Sequence, residues 1–316
     1  MGRRDAPASL ALRIRRGRVD GGAGGRDARG VKDLNNRAAW ITGGASGIGL
    51  ALARRFASEG MKLVLVDVEA GPLAEAEKAL REQGASVIAI RADVSNLEEM
   101  TAAAAKARDA FGLMHVICNN AGVGGGGGPM WSLTDQDWRW TVDVNLWGVI
   151  HGIRLLLPAL IESGEEGHVV NTASMAGLTS TPFLGPYTAT KHAVVALSEC
   201  LFKELDLVKA KVGVSVLCPG FVKTKIASSQ RNRPGGTKQP GNPHEARFGG
   251  VFQQLVDAGI PAEKIADEVL RSIREDRFYV LTHPEMKPQI EYRMQQILEE
   301  KQPGIDPLIR SLFGGG

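Results

Sequence analysis

Short apolar runs alternate with longer amphipathic stretches along most of this 316-residue chain. Runs such as residues 64–66 and 116–118 are apolar at successive positions, which is typical of strands that are buried on both faces. The stretches between the runs carry apolar residues at helical spacing. This alternation predicts an α/β fold with a seven-stranded parallel sheet and helices on both of its faces.

The predicted strands are residues 38–42, 62–67, 86–91, 114–119, 167–173, 212–218 and 277–282. The predicted helices lie near residues 47–59, 70–83, 96–111, 140–163, 187–208 and 261–275. Together they predict a doubly wound, Rossmann-type three-layer sandwich. In such folds ligands bind beyond the C-terminal ends of the strands.

One domain, residues 37–283, is predicted, with an extension at each end. Residues 1–36 are rich in Gly and Arg and poor in large apolar groups, so we expect them to be disordered. Residues 284–316 are predicted to form a helical extension. Residues 227–250 are rich in Pro, Gly, Asn and Arg, and a loop of this length is expected to be a lid over a binding site.

Composition excludes several classes of protein. No run approaches 18 uninterrupted apolar residues, so we expect no membrane-spanning helix. The first 30 residues lack the apolar core of a secretory signal, and a cytoplasmic location is expected. The net charge of +3 arises in residues 1–37, where ten basic residues outnumber four acidic ones. The rest of the chain is mildly acidic, so neither nucleic acid nor a membrane is an expected partner.

The cysteines and histidines show no metal-ligand spacing. Cys118, Cys200 and Cys218 lie far apart, without a C-x-x-C pair, and are expected to be reduced residues of the core. The six histidines are scattered, and His192 is interpreted as structural. No bound metal is expected.

A glycine-rich turn follows the first predicted strand and opens the first predicted helix. Its sequence, Thr42 to Gly49, has the spacing G-x-x-x-G-x-G. Glycines let the backbone approach a pyrophosphate closely, and a helix N-terminus favours its negative charge. The turn therefore predicts a dinucleotide site that includes Gly43, Ser46, Gly47, Ile48 and Gly49.

The residue that ends the second strand indicates which dinucleotide binds. Asp67 stands about 20 residues after the turn, where a carboxylate can accept hydrogen bonds from ribose hydroxyls. Its charge would also repel the 2′-phosphate of NADP. Since neither residue 68 nor residues 43–47 include a basic side chain, the sequence favours NAD over NADP.

Tyr187 and Lys191 are four residues apart, so they lie on one face of a predicted helix. A neighbouring ammonium favours the phenolate, and we expect it to lower the pKa of Tyr187 toward neutrality. Ser174 stands thirteen residues upstream and could donate a hydrogen bond to a substrate oxygen. These residues are the candidate acid/base group and its partners.

These motifs, in this order, resemble those of the short-chain dehydrogenase/reductase family over residues 37–225, with a recognisable helix and strand to about 283. Further matching positions are Asn145 and the set Asp93, Val94, Asn120, Ala121, Gly122, Pro219, Gly220, Val222 and Thr224. The resemblance implies that the second set, with Tyr187 and Lys191, binds the cofactor. It implies catalysis by Asn145, Ser174, Tyr187 and Lys191, with Asn145 holding a water of a proton relay. Asn119 is expected to tie the central strands together.

The resemblance implies hydride transfer between NAD and a carbonyl or carbinol carbon. Mostly apolar candidate wall residues favour a hydrophobic secondary alcohol or its ketone: Met130, Met175, Ala176, Gly177, Phe183, Leu184, Phe221 and Val222. The glycine run 124–128 is expected to line the entrance or to form a flexible loop. The family implies a homodimer or homotetramer. An NADP-dependent ketoacyl-thioester or carbonyl reductase, or a non-catalytic NAD sensor, remain as alternatives.

Overall fold

The computed structural model describes residues 31–237 and 243–305, together with residue 310. Seven parallel strands form one sheet in the order β3-β2-β1-β4-β5-β6-β7. The strand order reverses direction between β1 and β4, so this is the doubly wound sheet that the sequence predicts.

The strands are close to their predicted positions. They are β1 (Ala38–Thr42), β2 (Lys62–Asp67), β3 (Val87–Arg91), β4 (Met114–Asn119), β5 (Gly167–Thr172), β6 (Val212–Cys218) and β7 (Tyr279–Leu281). The strand β7 is three residues shorter than expected and pairs only with β6.

The helices cover both faces of the sheet. They are α1 (Gly47–Ala57), α2 (Ala70–Glu82), α3 (Leu97–Phe111), α4 (Asp135–Val142), α5 (Gly148–Ser163), α6 (Gly185–Leu207), α7 (Pro243–Asp257), α8 (Ala262–Glu275) and α9 (Lys287–Leu298). A π-helical turn, Asp143–Trp147, joins α4 to α5.

Successive residues of the strands enter two separate cores. In β1, Ala39 and Ile41 pack into one apolar cluster with α1 and α8. Ala38 and Trp40 pack into the other cluster, on the opposite face of the sheet. All five residues of β1 are buried, which explains why these runs are continuously apolar rather than alternating.

The N-terminal boundary of the folded domain lies earlier than predicted. Val31 and Leu34 are 0% and 2% exposed and belong to the core cluster beside α1. The amide of Asn36 donates to the carbonyl of Gly60 at 3.0 Å. The expectation that residues 1–36 are disordered is therefore wrong for residues 31–36, and residues 1–30 lie outside the described part of the chain.

The predicted lid is partly helical. A 3₁₀ segment, Ile226–Asn232, is followed by α7, which begins at Pro243 and continues seven residues past the predicted end of the loop. The apolar residues of this helix have helical spacing that the expectation of an irregular loop missed: Phe248, Val251, Phe252, Leu255 and Val256. Residues 238–242 of the predicted lid lie outside the described residues.

The expectation that all three cysteines lie in the core is wrong for one of them. Cys200 is exposed, whereas Cys118 and Cys218 are buried and have raised pKa values because of that burial.

Among the described residues, the continuous helical stretch Asp135–Ser163 has the length and hydropathy of a membrane span. Half of that apolar window is buried within the protein, as in the core helices of many soluble proteins, so it indicates a membrane only weakly.

Candidate active site

A cavity of about 630 Å³ lies at the C-terminal ends of the strands. All the predicted site residues line it except Gly49 and Asn145. Gly49 instead packs against the glycine turn, where an added Cβ would lie 2.0 Å from the carbonyl oxygen of Gly43. The fold therefore brings together at one cavity motifs that are up to about 180 residues apart in the sequence.

The glycine turn fits a pyrophosphate. Gly43 and Gly47 have φ values of +68° and +53°, and a Cβ on either would lie 3.0 Å from a neighbouring atom. Ser46 precedes α1 without capping it through its side chain, and the first turn of α1 contains no acidic residue. Backbone N–H groups at this helix start can therefore bind an anion.

Asp67 ends β2 beside this turn. Its carboxylate accepts hydrogen bonds from the amides of Ala45 and Glu69, each at 3.0 Å. Burial raises the pKa of Asp67, and these two hydrogen bonds oppose the rise. Asp67 thus fixes the turn to the second strand and borders the cavity at the place expected for an adenosine ribose.

A basic side chain that the sequence analysis missed lies near Asp67. Arg231, from the 3₁₀ segment of the lid, donates to both carboxylate oxygens of Glu69, at 2.8 and 2.7 Å. This hydrogen-bonded pair lowers the pKa of Glu69. Arg231 and Glu69 are 162 residues apart in sequence, so no local pattern could have indicated the pair.

Tyr187, Ser174 and Lys191 form the polar centre of the cavity. The Ser174 hydroxyl donates to the carbonyl of Pro219 at 3.4 Å and lies near enough to the Tyr187 phenol to affect its pKa. The ammonium of Lys191 donates to the carbonyl of Thr172 at 2.9 Å and lies 5.5 Å from the centre of the Tyr187 ring. The phenol, hydroxyl and ammonium are thus arranged to hold one substrate oxygen and move its proton.

The pKa of Tyr187 differs in direction from the sequence-based expectation. Burial raises it, and the nearby Ser174 hydroxyl only partly opposes the rise. Burial also lowers the pKa of Lys191 to about 8. The expected fall of this pKa toward neutrality is wrong for this structure because burial has the largest effect on the phenol.

Asn145 lies behind the cavity wall, in the π-helical turn. Its side chain accepts from the amide of Val123 at 2.8 Å and donates to the carbonyl of the same residue at 2.9 Å. A Cβ added at Gly122 would lie 3.3 Å from Asn145 Oδ1 and 3.5 Å from Lys191 Nζ. Asn145 therefore fixes the backbone beside Lys191, and its role in a proton relay stays a prediction.

Asn119 has the position that the sequence analysis expected. Its amide donates to Asn171 Oδ1 at 2.9 Å, and Asn171 donates in turn to Ser198 of α6. This buried chain of hydrogen bonds joins β4, β5 and the helix that carries Tyr187. It holds the elements of the site in register without contacting the cavity.

His283 is a further residue that the sequence analysis missed. Its Nδ1 accepts from the amide of Gly220 at 3.0 Å, and its Nε2 donates to the carbonyl of Phe221 at 3.0 Å. The two bonds require the neutral tautomer with the proton on Nε2. His283 thereby fixes the turn that follows Pro219 at the cavity wall.

The apolar part of the wall is larger than predicted. Of the predicted wall residues, Met130, Gly177 and Phe183 do not line the cavity, and Gly177 packs against the backbone of Lys191 instead. The lid and the C-terminal extension supply residues that were not predicted: Phe248, Val251, Phe252, Leu255, Val256, Met286, Gln289, Tyr292, Arg293, Gln296 and Ile297.

The glycine run 124–128 is a packing element, not an open entrance or a flexible loop. A Cβ added at Gly125 would lie 2.5 Å from Thr141 Oγ1 of α4, and one at Gly127 would lie 2.6 Å from the Phe248 ring of α7. The amide of Gly124 donates to Ser229 at 2.9 Å. The bare backbone therefore lets the lid and α4 approach closely.

Comparisons with known proteins identify the family of this chain. The family model for short chain dehydrogenases matches residues 37–235. A CLA biosynthesis dehydrogenase/reductase from Lactiplantibacillus plantarum is 32% identical over 280 residues, 87% of this chain and 98% of that protein. A 1-deoxy-11-beta-hydroxypentalenate dehydrogenase from Streptomyces exfoliatus is 36% identical over 255 residues, 80% of this chain and 86% of that protein.

A solved structure is similar over most of its length. A short-chain dehydrogenase/reductase from Burkholderia phymatum, in complex with NAD, superimposes with a TM-score of 0.85 and 42% identity, covering 87% of this chain and 99% of that one. The sequence motifs and the seven-stranded parallel sheet agree with these matches. The chain therefore belongs to the short-chain dehydrogenase family and is an oxidoreductase that acts on CH–OH groups.

Proposed function

We propose that the protein is an NAD-dependent dehydrogenase that interconverts a hydrophobic secondary alcohol and its ketone. The observation that carries the proposal is the placement of Tyr187, Ser174 and Lys191 in one cavity whose remaining wall is largely apolar. Tyr187 exchanges a proton with the substrate oxygen, and Ser174 hydrogen-bonds that oxygen.

The cofactor part of the proposal is supported by the dinucleotide cradle. The pyrophosphate would contact the turn at Gly43, Ser46 and Gly47, and a ribose would contact Asp67. When bound, NAD supplies the hydride acceptor at its nicotinamide ring. Asp67 and Glu69 both present carboxylates at the adenosine end, which supports NAD over NADP because a 2′-phosphate would meet negative charge.

Tyr187 is the proposed acid/base group of the reaction, and Lys191 is its neighbouring cation. Alcohol oxidation requires Tyr187 as the phenolate, whereas ketone reduction requires the phenol. The Lys191 ammonium lies near enough to stabilise the phenolate, and its bond to Thr172 fixes its position. The lid and α9 cover the substrate and exclude water from the proton transfer.

A spectrophotometric assay tests the proposal. Absorbance at 340 nm is followed with NAD or NADP and a panel of hydrophobic secondary alcohols, for the wild type and Tyr187→Phe. We expect NADH formation by the wild type and its loss in the variant, with cofactor binding retained because Phe removes only the hydroxyl. Equal turnover in the two proteins would refute the mechanism, and tight NAD binding without any turnover would favour the sensor alternative.

The relatives support the alcohol–ketone assignment. By its name, the Streptomyces exfoliatus relative dehydrogenates a hydroxypentalenate, which is a hydroxylated acid anion.

The proposal also includes a cytoplasmic location, which is supported by three cysteines that form no disulfide among the described residues. It further includes a homodimer or homotetramer, as the family resemblance implies.

A further inference from the structure

The C-terminal helix α9 places a cation in the wall of the cavity. Arg293 lines the cavity with Met286, Gln289, Gln296 and Ile297, all from one side of the extension. The spacing of three and four residues between them puts these side chains on one face of the helix. One strongly basic group thus stands in a face that is otherwise apolar or neutral.

Arg293 has no acidic partner within the part of the chain that the structure describes. It forms none of the ion pairs there, and its side chain has only a long contact, 3.9 Å, with the sulfur of Met294. A guanidinium offers five donors in a planar fork. A half-buried one without a carboxylate is suited to bind an anion in the cavity.

The other charges along the cavity belong elsewhere. Its described acidic lining residues are Asp67, Glu69 and Asp93, which follow β2 and β3 at the adenosine end. Arg231 is held there by Glu69. Lys225 lies near Glu69, and Lys301, which also lines the cavity, pairs with Glu299. Among the described residues no carboxylate is paired with Arg293, which therefore remains available to an anionic ligand.

The position of Arg293 sets the shape of a ligand that could reach it. A Cβ added at Gly220 would lie 2.6 Å from Met286 Sδ, so α9 begins beside the turn that follows β6. Arg293 is seven residues further, about 10 Å along the helix axis. The cavity wall also carries the rings of Phe221 and Phe252, whose centroids are 6.3 Å apart.

We propose that Arg293 binds a carboxylate of the substrate, so that the substrate is a hydrophobic hydroxy acid or its oxo acid. The carbinol lies at Tyr187, the apolar body lies against the phenylalanines, and the carboxylate lies at the far end against Arg293. The carboxylate is unchanged by the reaction. This inference rests on the proposed dehydrogenase function and adds the chemical class of its substrate.

The test uses the full-length protein with NAD, (ω−1)-hydroxy acids of increasing chain length, and their methyl esters. We expect the wild type to prefer an acid over its ester at an optimal length, by about 10- to 100-fold in kcat/KM. Arg293→Gln should lower kcat/KM for the acid to about that for its ester, and Arg293→Lys should retain part of the preference. Lys287→Gln, an exposed cation of α9 outside the cavity, is the matched control and should behave as the wild type.

Two results would overturn the inference while leaving the dehydrogenase proposal standing. One is turnover of alcohols with equal kcat/KM for acid and ester; the other is an acid preference that persists in Arg293→Gln. Loss of acetoacetyl-coenzyme A reduction in Arg293→Gln, with hydroxy acids unaffected, would also overturn it and assign Arg293 to a phosphate-bearing carrier.

If the wild type oxidises none of these alcohols, the dehydrogenase proposal fails for this substrate class, and calorimetry still decides the anion site. Binding of the oxo acids and their esters is then measured for the wild type and Arg293→Gln in the presence of NADH. Tighter binding of acids that depends on Arg293 supports the site, and equal binding of acid and ester refutes it.

Discussion

At the scale of single residues, burial disfavours the charged forms of both Tyr187 and Lys191. Burial raises the pKa of the phenol and lowers the pKa of the ammonium to about 8, so each group is less charged here than in water. The ammonium is present below about pH 8 and is lost as the pH rises through that value. Over the range in which it is present, it favours the phenolate that alcohol oxidation needs.

We expect Lys191→Met to shift the pH profile. In the wild type, kcat/KM for oxidation should rise with pH as Tyr187 deprotonates, and kcat/KM for reduction should fall. Without the ammonium, kcat/KM for oxidation at pH 7 should fall about tenfold, and the difference from the wild type should narrow above about pH 8, where the wild type also loses its ammonium. Steady-state kinetics between pH 6 and 10 measure this difference, and identical pH profiles of the two proteins would show that Lys191 does not tune Tyr187.

We expect the ion pair of Glu69 and Arg231 to influence the choice between NAD and NADP. While Glu69 binds the guanidinium through two hydrogen bonds, Arg231 is not available to a 2′-phosphate. We expect Glu69→Gln to release Arg231 and to raise kcat/KM with NADP about tenfold, with little change for NAD. The kinetic ratio of the two cofactors measures the effect.

The double variant Glu69→Gln with Arg231→Gln is the control, because it lacks both the carboxylate and the cation. It should not gain activity with NADP. A gain equal to that of the single variant would mean that the lost negative charge of Glu69, and not the released Arg231, sets the preference.

At the scale of elements, the sheet was predictable because its information is local. Each strand, such as β2 or β4, is a short apolar run, and burial on both faces makes the run continuous. The motif residues follow these runs directly, so their convergence at one edge of the sheet could be predicted. The pairing of Arg231 with Glu69 could not, because it depends on how the lid folds back over the sheet.

The helix α7 shows a limit of a different kind. The predicted loop ended at residue 250, within the apolar pattern of α7. Gly249, Gly250 and the Pro-rich stretch before them argue against a helix there. Contacts with the rest of the protein override that low propensity: the rings of Phe248 and Phe252 stack 5.9 Å apart, and both line the cavity. Tertiary packing here decides the local structure.

The lid is attached to α4 by a buried ion pair. Arg233 donates to Asp137 at 3.0 Å, and their side chains are 9% and 0% exposed. Arg233→Met would leave the Asp137 carboxylate buried, although Thr134 still donates to it. We expect a loss of about 3 kcal/mol in the free energy of unfolding, measured by urea denaturation.

A double-mutant cycle separates the pair from its surroundings. Asp137→Asn with Arg233→Met removes both charges, so the double variant should lose clearly less stability than the sum of the two single variants. Strictly additive losses would show that the ion pair does not hold the lid and that the effect of Arg233→Met comes from lost packing.

At the scale of the whole molecule, the domain begins before its first strand. Residues 31–36 pass beneath α1 and contribute Val31 and Leu34 to the core that α1 and α8 share. Sequence reasoning placed these residues in a disordered tail because two apolar side chains within a Gly- and Arg-rich context carry no periodic signal. Their burial depends on a contact surface that only the assembled sheet and helices create.

Two N-terminal deletions test this boundary. Removing residues 1–35 deletes Val31 and Leu34 and exposes the core beneath α1, so we expect a loss of about 3 kcal/mol or more in the free energy of unfolding. Removing residues 1–30 keeps both side chains and should leave the stability and the NAD-linked activity close to those of the full chain. Urea denaturation and the 340 nm assay on the same preparations compare the two. Equal stability of the two deletions would show that the core of the domain closes without these residues, because only residues 31–35 distinguish them.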